Sequence, residues 1–386
     1  KLPRTLCRQP SVKSRECCPA KLGGQHRQEI RISKNARLSF IPKRKVDYDD
    51  STTADIEYRL ACEGTALHWQ GDFQNARQLL NAMARRIDRH PPKTGATATE
   101  TFHLYRQFQS RRARILGMLT ITLEADYSIA LRRAPDVRAA CAEAYGPGTM
   151  QKEISLRELL GVISAHEWRK KGVLVPVLDE HIHPHYGVFA PIRNEYVTLV
   201  AETPLPSQAL AFDIGTGSGV LAAVLAKRGV ARIIATDQDP RALTCARDNL
   251  ERLGFKNQVE VVSADLFPAG RAPLIVCNPP WLPARPSSSI ENAIYDFESR
   301  MLLGFLNGLS THLEPNGEGW LILSDLAEHL GLRTRDELLA AIENAGLKVL
   351  SKTDIQPTHP RANDASDPLY KARAAEVTSL WRLGVK

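Results

Sequence analysis

The sequence predicts an α/β protein in which a doubly wound, mostly parallel sheet is covered by helices on both faces and is preceded by a smaller, mainly helical domain. From residue 207 onward, short apolar segments that have the character of strands alternate with helical segments. One of these helices also carries its own boundary signals, with Asp239 as its N-cap, Pro240 in its first turn and Gly254 as its stop. Such alternation is typical of a parallel sheet that is buried on both faces.

The predicted elements of residues 201–386 follow one another with short connections. The predicted strands cover 209–215, 232–237, 258–265, 273–278, 319–325, 347–354 and 376–383. One predicted helix ends near 227, and the other three cover 240–252, about 298–312 and 334–345.

The preceding residues, 51–171, form the predicted helical domain. Apolar residues recur at helical spacing from Phe73 to Ile87, and the pair Pro91-Pro92 ends this helix. No catalytic constellation is visible in this domain. Its other predicted elements are a helix up to about 116, a strand-like segment at 119–131 and helices near 135–145 and 154–170.

A β-hairpin and linker, residues 172–200, are predicted between the two domains. The stretch "GVLVPVLDEHIHPHYGV" alternates apolar and polar residues around an Asp-Glu turn. His181, His183 and His185 have a period of two, which would place them on one face of a strand. No carboxylate or cysteine is placed to complete a metal shell, and Pro184 favours an edge strand, so no metal site is expected.

The net charge of +8 lies entirely in residues 1–50, which contain 13 Lys or Arg and 5 Asp or Glu. This segment has no sustained period and is predicted to be a disordered basic tail. Three interpretations stay open for it: an arm that binds RNA or a ribosome surface, a targeting segment, or a mis-assigned start, since the chain begins with Lys.

Composition favours a soluble protein of a reducing cytoplasm. The longest uncharged apolar run, 219–226, is too short to cross a bilayer. The seven cysteines are odd in number and form no C-x-x-C pair, which argues against a disulfide framework and against a zinc knuckle.

Candidate functional residues follow four of the predicted strands, at the edge where ligands bind in an open α/β sheet. The first strand leads into "DIGTGSG", the second ends in Asp237, the third in Asp265 and the fourth in Asn278. Glycines in such a turn let the backbone approach a ligand closely. Their spacing, together with Asp237, also satisfies the dinucleotide fingerprint, so a nicotinamide-dependent dehydrogenase is an alternative at this point.

The D-x-G-x-G-x-G turn and the Asn-Pro-Pro-Trp ending at 278–281 together resemble the class I S-adenosylmethionine-dependent methyltransferases. The resemblance implies a Rossmann-like, seven-stranded sheet, mostly parallel with an antiparallel edge strand, and S-adenosyl-L-methionine as the cofactor. It also implies that the glycine turn lies against the methionine part of the cofactor, the acid after the second strand at the ribose and the acid after the third at the adenine. The residues implied in cofactor binding are Asp213, Gly215, Thr216, Gly217, Gly219, Asp237, Gln238, Asp265, Leu266 and Asn278.

The motif Asn278-Pro279-Pro280-Trp281 narrows the implied reaction to methylation of a planar NH₂ group, such as a glutamine amide or the amine of adenine or cytosine. Such a nitrogen is a poor nucleophile because its lone pair is delocalised. The Asn278 side-chain oxygen and the Pro279 carbonyl can accept its two hydrogens, which aims the lone pair at the methyl group. The prolines stiffen the backbone, Trp281 packs on the flat substrate group, and no strong general base is required.

Within that family, the chain resembles the release-factor glutamine methyltransferases over roughly 172–350. The stretch "GVFAPIRNEYVTLV" resembles a segment that closes over the cofactor, with Pro191, Arg193 and Glu195 as candidate matches, and "IYDFESRMLLGFLNGL" resembles the segment after the catalytic loop. Trp281 in place of the usual Tyr and a polar insertion at 355–376 depart from the pattern. The implied substrate is a macromolecule, a protein such as a release factor.

Two other interpretations stay open. In the first, the enzyme is an N6-adenine methyltransferase of RNA or DNA, and the tail with Arg361, Lys371 and Arg373 grips phosphates. In the second, the chain is a non-catalytic binding module on the same fold. The neutral balance of charge after residue 50 argues against the first, and the intact set of acids, glycines and Asn278 argues against the second.

Overall fold

The structure, a computed structural model, describes residues 42–51, 54–286, 290–357 and 364–386. Most of the predicted tail, residues 1–41, and Arg361 of the polar insertion lie outside the described residues.

Residues 42–171 contain five helices, of which the sequence predicts four, and also a four-stranded sheet, of which it predicts one strand. The strands β1 to β4 are Arg44–Tyr48, Thr65–Trp69, Leu119–Leu123 and Lys152–Ser155, and the helices α1 to α5 are Ala54–Glu63, Phe73–Asp88, Ala98–Leu116, Arg138–Tyr145 and Leu156–Lys171. The strand order is β1-β2-β3-β4, parallel except for β4. β1 corrects the prediction of a disordered tail up to residue 50, because residues 44–48 pair with the buried strand β2.

The predicted hairpin is confirmed as strands β5 (Val173–Val175) and β6 (Glu180–Ile182), which are antiparallel. A helix that the sequence does not predict, α6 (Glu195–Glu202), follows it. Hairpin and helix pack onto the core of the large sheet through buried residues such as Val175, Ile182 and Val197.

A seven-stranded sheet forms the centre of the remaining chain. Its strands are β7 (Leu210–Ile214), β8 (Arg232–Asp237), β9 (Val259–Ser263), β10 (Ala272–Cys277), β11 (Leu313–Ser324), β12 (Leu347–Ile355) and β13 (Thr378–Val385), and the helices are α7 (Val220–Lys227), α8 (Pro240–Arg252), α9 (Arg300–His312), α10 (Leu326–His329), α11 (Arg335–Asn344) and α12 (Tyr370–Ala375). The order is β12-β13-β11-β10-β7-β8-β9, and only β13 runs antiparallel to its neighbours, beside the edge strand β12. The predicted doubly wound, mostly parallel sheet is therefore confirmed.

Strand β10 shows why the sheet is buried on both faces. Its residues alternate between two hydrophobic clusters: Leu274 and Val276 belong to the cluster beneath α6 and α7, and Ile275 and Cys277 to the cluster beneath α9 and α11. A strand enclosed in this way has no polar face, which explains its uninterrupted apolar sequence.

Helix α3 of the N-terminal region supports the loop that follows β10. Phe102 is buried in one cluster with Leu282 of that loop and with residues of α10 and α12. Arg106 Nη2 donates to the carbonyl of Arg285 at 2.6 Å, and its guanidinium lies 3.9 Å from the centre of the Tyr295 ring. The N-terminal region thus fixes the position of the loop after residues 278–281.

Among the described residues, no helix combines the length and the apolar character needed to cross a membrane.

A substitution in helix α9 can test the packing of the hydrophobic cluster beneath α9 and α11. Phe305 is fully buried against the sheet, whereas Leu303, two residues earlier on the same helix, is 39% exposed. We expect Phe305→Ala to lower the free energy of unfolding by about 3–5 kcal/mol, because it leaves a cavity, and Leu303→Ala to change it by about 0.5 kcal/mol or less. Urea unfolding followed by circular dichroism measures both, and equal effects would contradict the packing described.

Candidate active site

The residues that follow β7, β8, β9 and β10 emerge at one edge of the large sheet, because these strands are parallel neighbours. This brings together the glycine turn after Asp213, the side chains of Asp237 and Asp265, and the segment that begins with Asn278. The predicted site residues therefore share the edge at which open α/β sheets bind ligands.

The glycine turn has a backbone conformation that other residues rarely adopt. Gly215, Gly217 and Gly219 have φ values of 72°, 55° and 82°. A Cβ atom added to Gly215 would lie only 2.4 Å from Cε of Met301, the second residue of α9, although that methyl group ends a flexible side chain. Both the left-handed backbone and the close approach of α9 therefore favour glycine at 215.

Asp213 braces this turn from behind. Its side chain is buried, and Oδ2 accepts hydrogen bonds from Thr216 Oγ1 at 2.7 Å and from the backbone N–H of Ala222 at 3.1 Å. Burial raises the pKa of its carboxyl group to about 6, although both hydrogen bonds oppose the shift. Asp213 therefore connects β7, the turn and α7 in one buried arrangement.

Asp237 connects the turn to the next strand. Its Oδ2 accepts the N–H of Gly217 at 3.0 Å, and its Oδ1 accepts the N–H of Asp239 at 2.9 Å. Burial raises the pKa of this carboxyl group as well. The two acids at the ends of β7 and β8 thus hold the glycine turn from two sides.

Asp265, Gln238 and Leu266 are also brought together. The Gln238 side-chain amide donates to the Asp265 carboxylate, which is exposed and lies 3.6 Å from Arg300 Nη2. Leu266 has a φ of 70°, and its carbonyl accepts a hydrogen bond from Thr236 Oγ1 at 2.6 Å, which holds the loop after β9 against β8.

The Asn278-Pro279-Pro280-Trp281 segment follows the buried end of β10. Trp281 is half-buried and packs against both hydrophobic clusters, so its ring covers the end of the sheet. Its Nε1 donates to Asn278 Oδ1 at 2.9 Å. A carbonyl oxygen has two lone pairs, so this bond orients the amide and leaves one acceptor position for a further donor.

Arg193 lies beside that ring, with its guanidinium carbon 5.4 Å from the ring centre. Arg193 Nε donates to Glu195 Oε1 at 2.8 Å, and its two terminal nitrogens donate to the Glu376 carboxylate at 3.2 and 3.1 Å. Burial alone would lower the pKa of Arg193, but Glu376 and Glu195 raise it above its ordinary value. Pro191, the third residue predicted for this segment, is buried two positions earlier.

The three predicted histidines lie close to one another: a Cβ atom added to Gly172 would contact both His181 and the His183 ring, and His183 and His185 line one cavity beside α8. His181 is exposed at the end of the hairpin, whereas the backbone N–H of His183 donates to Asn249 Oδ1 at 2.8 Å and His185 Nε2 lies 3.0 Å from Asp248 Oδ2 on α8. Within the described part of the chain, no group of three or more His, Cys, Asp or Glu side chains could hold a metal ion.

Two residues of the site have no local signal in the sequence. Asp296 is buried and accepts the N–H groups of Met301 and Leu302, both at 3.0 Å, so it caps the start of α9 from four residues before the helix. Glu376 lies 183 residues from its partner Arg193. Neither position follows a capping pattern or a period that sequence inspection would detect.

Comparison with known proteins identifies the family. A family model described as "Ribosomal protein L11 methyltransferase (PrmA)" matches residues 199–279, which contain the glycine turn, Asp237, Asp265 and Asn278. The tRNA1(Val) (adenine(37)-N6)-methyltransferase of Bacteroides fragilis is 32% identical over 164 residues, which are 38% of this chain and 69% of that protein. The chain belongs to the S-adenosylmethionine-dependent methyltransferases.

Other relatives in this family match shorter parts of their own length. The release factor glutamine methyltransferase of Geobacter sulfurreducens is 32% identical over 154 residues, 36% of this chain and 52% of the relative. The ribosomal protein L11 methyltransferase of Pelotomaculum thermopropionicum is 46% identical over 69 residues, 17% of this chain and 22% of the relative. The chain thus spans about half of the first and about a fifth of the second.

As a member of this methyltransferase family, the chain is an enzyme, and its methyl donor is S-adenosyl-L-methionine. The family match therefore favours a methyltransferase over a nicotinamide-dependent dehydrogenase, which the spacing of the glycines alone would also allow.

The raised pKa of Asp213 predicts a pH-dependent difference in stability. A folded-state pKa of about 6, above the ordinary 3.8, means that the folded chain binds this proton more tightly than the unfolded chain does. Wild type should therefore lose stability relative to Asp213→Asn as the pH rises from about 4 to about 7, by about 3 kcal/mol. Urea unfolding of both chains across this range measures the difference, and a difference that stays constant with pH would contradict the titration.

Proposed function

We propose that this methyltransferase transfers its methyl group to a planar amide or amine nitrogen, and that the substrate is the side chain of a protein glutamine, as in the release-factor type. The observation that carries the proposal is the Asn278 amide at the end of β10, whose oxygen is oriented by the Trp281 indole N–H at 2.9 Å. An acceptor held in this way suits an N–H group of the substrate and has no use in hydride transfer.

The methyl donor would be held along the edge of the sheet. The turn of Gly215, Gly217 and Gly219 suits its methionine part, because glycines let the backbone approach a ligand closely, Asp237 suits the ribose hydroxyls, and Asp265 suits the adenine amine. We assign Asp213 an indirect role, because its carboxylate is buried behind the turn and braces it. When bound, the donor supplies an electrophilic methyl group on a positively charged sulfur.

The chemistry at the substrate nitrogen rests on Asn278 and Pro279. In our proposal, Asn278 Oδ1 and the Pro279 carbonyl accept the two N–H hydrogens, which lets the nitrogen lone pair leave conjugation and point away from both acceptors. This contribution is one of orientation and electrostatics. The methylated nitrogen becomes acidic and loses its proton to water, so a general base is not required.

A protein substrate is supported by apolar side chains on the two segments beside the site. Phe189 and Ile192 are exposed on the segment that leads from β6 to Arg193, and Ile294 and Phe297 are exposed on the loop that follows Trp281. Exposed apolar residues that cluster around a functional edge are typical of a surface that binds protein. The release factor glutamine methyltransferase among the relatives supports the same substrate class.

The second candidate is methylation of an adenine in RNA, which the greater coverage of the tRNA adenine-N6 methyltransferase favours. The wide indole of Trp281 would also suit stacking on a base. One predicted phosphate contact is weakened, because Arg373 lies 2.9 Å from Asp367 and is engaged within the chain. Lys371 is exposed.

Replacing Asn278 tests the mechanism. We expect Asn278→Ala to lower the rate of methyl transfer by about 100-fold or more, because one of the two acceptors is lost, while S-adenosylhomocysteine still binds in calorimetry with little change. Asn307→Ala, an exposed position on α9, is the matched control and should leave the rate unchanged. Transfer that survives in Asn278→Ala would show that the mechanism is wrong.

Label from methyl-labelled S-adenosylmethionine tests the substrate class. After incubation of the chain with a cell lysate, we expect label in protein, recovered as N-methylglutamine after enzymatic digestion, and none with Asn278→Ala. Label that is sensitive to ribonuclease and recovered as N6-methyladenosine would support the second candidate and contradict the first.

A further inference from the structure

We propose that Glu376, from the polar segment before the last strand, is a positioning residue that orients the Asn278 acceptor through Arg193 and Trp281. The inference rests on the proposed function, in which Asn278 accepts a hydrogen from the substrate. It assigns a role to a segment that departs from the release-factor pattern.

Glu376 is fixed to the end of β11 in the sheet core. Its side chain is buried, and Ser324 Oγ donates to its carboxylate at 2.6 Å. The next residue, Val377, is joined to Asp325 by two hydrogen bonds: Val377 N–H donates to the side-chain Oδ1 of Asp325 at 2.7 Å, and Asp325 N–H donates to the Val377 carbonyl at 3.1 Å. The carboxylate therefore has one defined position relative to the sheet.

The Glu376 carboxylate in turn fixes the guanidinium of Arg193. Both terminal nitrogens of Arg193 bind it, and Nε binds Glu195, so three charge-assisted hydrogen bonds define the plane of the group. Glu195 and Glu376 are both nearly inaccessible to water, which strengthens these bonds relative to an exposed pair. Arg193 is thus held by two acids from distant parts of the chain.

The fixed guanidinium lies over the Trp281 ring, and the Trp281 N–H reaches Asn278 Oδ1. A cation near the face of an indole attracts it and restricts its rotation. Because the indole N–H sets the plane of the Asn278 amide, a change in the ring changes the direction of the acceptor lone pair. The connection from the sheet core to the reacting group therefore runs from Glu376 through Arg193 and Trp281 to Asn278.

The same strand offers a matched control. Glu318, in the middle of β11, is also buried, accepts a hydrogen bond from Arg382 Nε at 2.7 Å and accepts one from Trp320 Nε1 at 2.9 Å. This second buried Glu–Arg pair also has a Trp beside it, but Glu318 pairs with Leu274 of β10 and lies away from the residues that follow that strand. A purely structural role for Glu376 would give the two glutamates similar effects.

The experiment compares Glu376→Gln with Glu318→Gln in the full chain. We expect Glu376→Gln to lower kcat at least tenfold with KM and S-adenosylhomocysteine affinity within twofold of wild type, and Glu376→Asp to recover part of kcat. The fluorescence emission of Trp281 is obtained in each background by subtracting the spectrum of the same chain with Trp281→Phe. In Glu376→Gln, we expect this emission to shift in wavelength and acrylamide to quench it more strongly. Glu318→Gln should change neither kcat nor the Trp281 emission.

Two results would overturn the inference: an unchanged kcat and Trp281 emission in Glu376→Gln, or an equal loss of kcat in Glu318→Gln. The emission measurement needs no methyl acceptor. It therefore tests whether Glu376 positions the Trp281 ring even if the substrate is not a glutamine side chain. A failure of the proposed function would instead leave the Trp281 emission responsive to Glu376→Gln while wild type labels no planar nitrogen.

Discussion

The parallel register of β10, β7, β8 and β9 is the constraint on which the rest of the site depends. Cys277 of β10 lies opposite Ile214 of β7, Ile214 lies opposite Thr236 of β8, and Asp237 lies opposite Ser263 of β9. Because neighbouring strands end within a few residues of one another, their following loops emerge side by side. A slip of one residue in any pair would turn the strand-end side chains to the opposite face, so the site requires this register.

Two of the acids at this edge, Asp213 and Asp237, are held by hydrogen bonds from the glycine turn and its neighbours and not by cations. The pKa values of Asp213 and Asp237 are raised by burial, and among the described groups that act on Asp213 there is no Lys or Arg. A buried and a partly buried carboxyl group without a paired cation are costly when both are ionised. A methyl donor with a positive sulfonium would reduce this cost when it binds, so the same arrangement that destabilises the free site favours a cationic ligand.

The sequence predicts the features that rest on local patterns. The seven strands are found where short apolar segments place them, and α8 begins and ends at its own capping signals, Asp239 and the stop near Gly254. The N-terminal sheet is largely missed, because β2 is only five residues long and its sequence TALHW shows no alternation of apolar and polar residues that would indicate a strand. Glu376 and Asp296 are missed because tertiary packing determines their hydrogen-bond partners, and no regular spacing along the sequence indicates which residues these are.

Two features in which the sequence differs from the release-factor glutamine methyltransferases are connected by contacts in the structure. One is Trp281 where that family usually has Tyr, and the other is the polar segment that carries Glu376. An indole places its N–H on the ring itself, at 2.9 Å from the oxygen of an amide three residues earlier, whereas a phenol places its hydroxyl beyond the far end of the ring. In the proposed mechanism, a Trp at this position serves both as a flat surface for the substrate and as the donor that orients Asn278. For the indole N–H to keep its direction, the ring must be held in place. Arg193, which is fixed by Glu376 and Glu195, lies beside the ring and restricts its rotation. The two departures are consistent with a single change in how the acceptor is oriented.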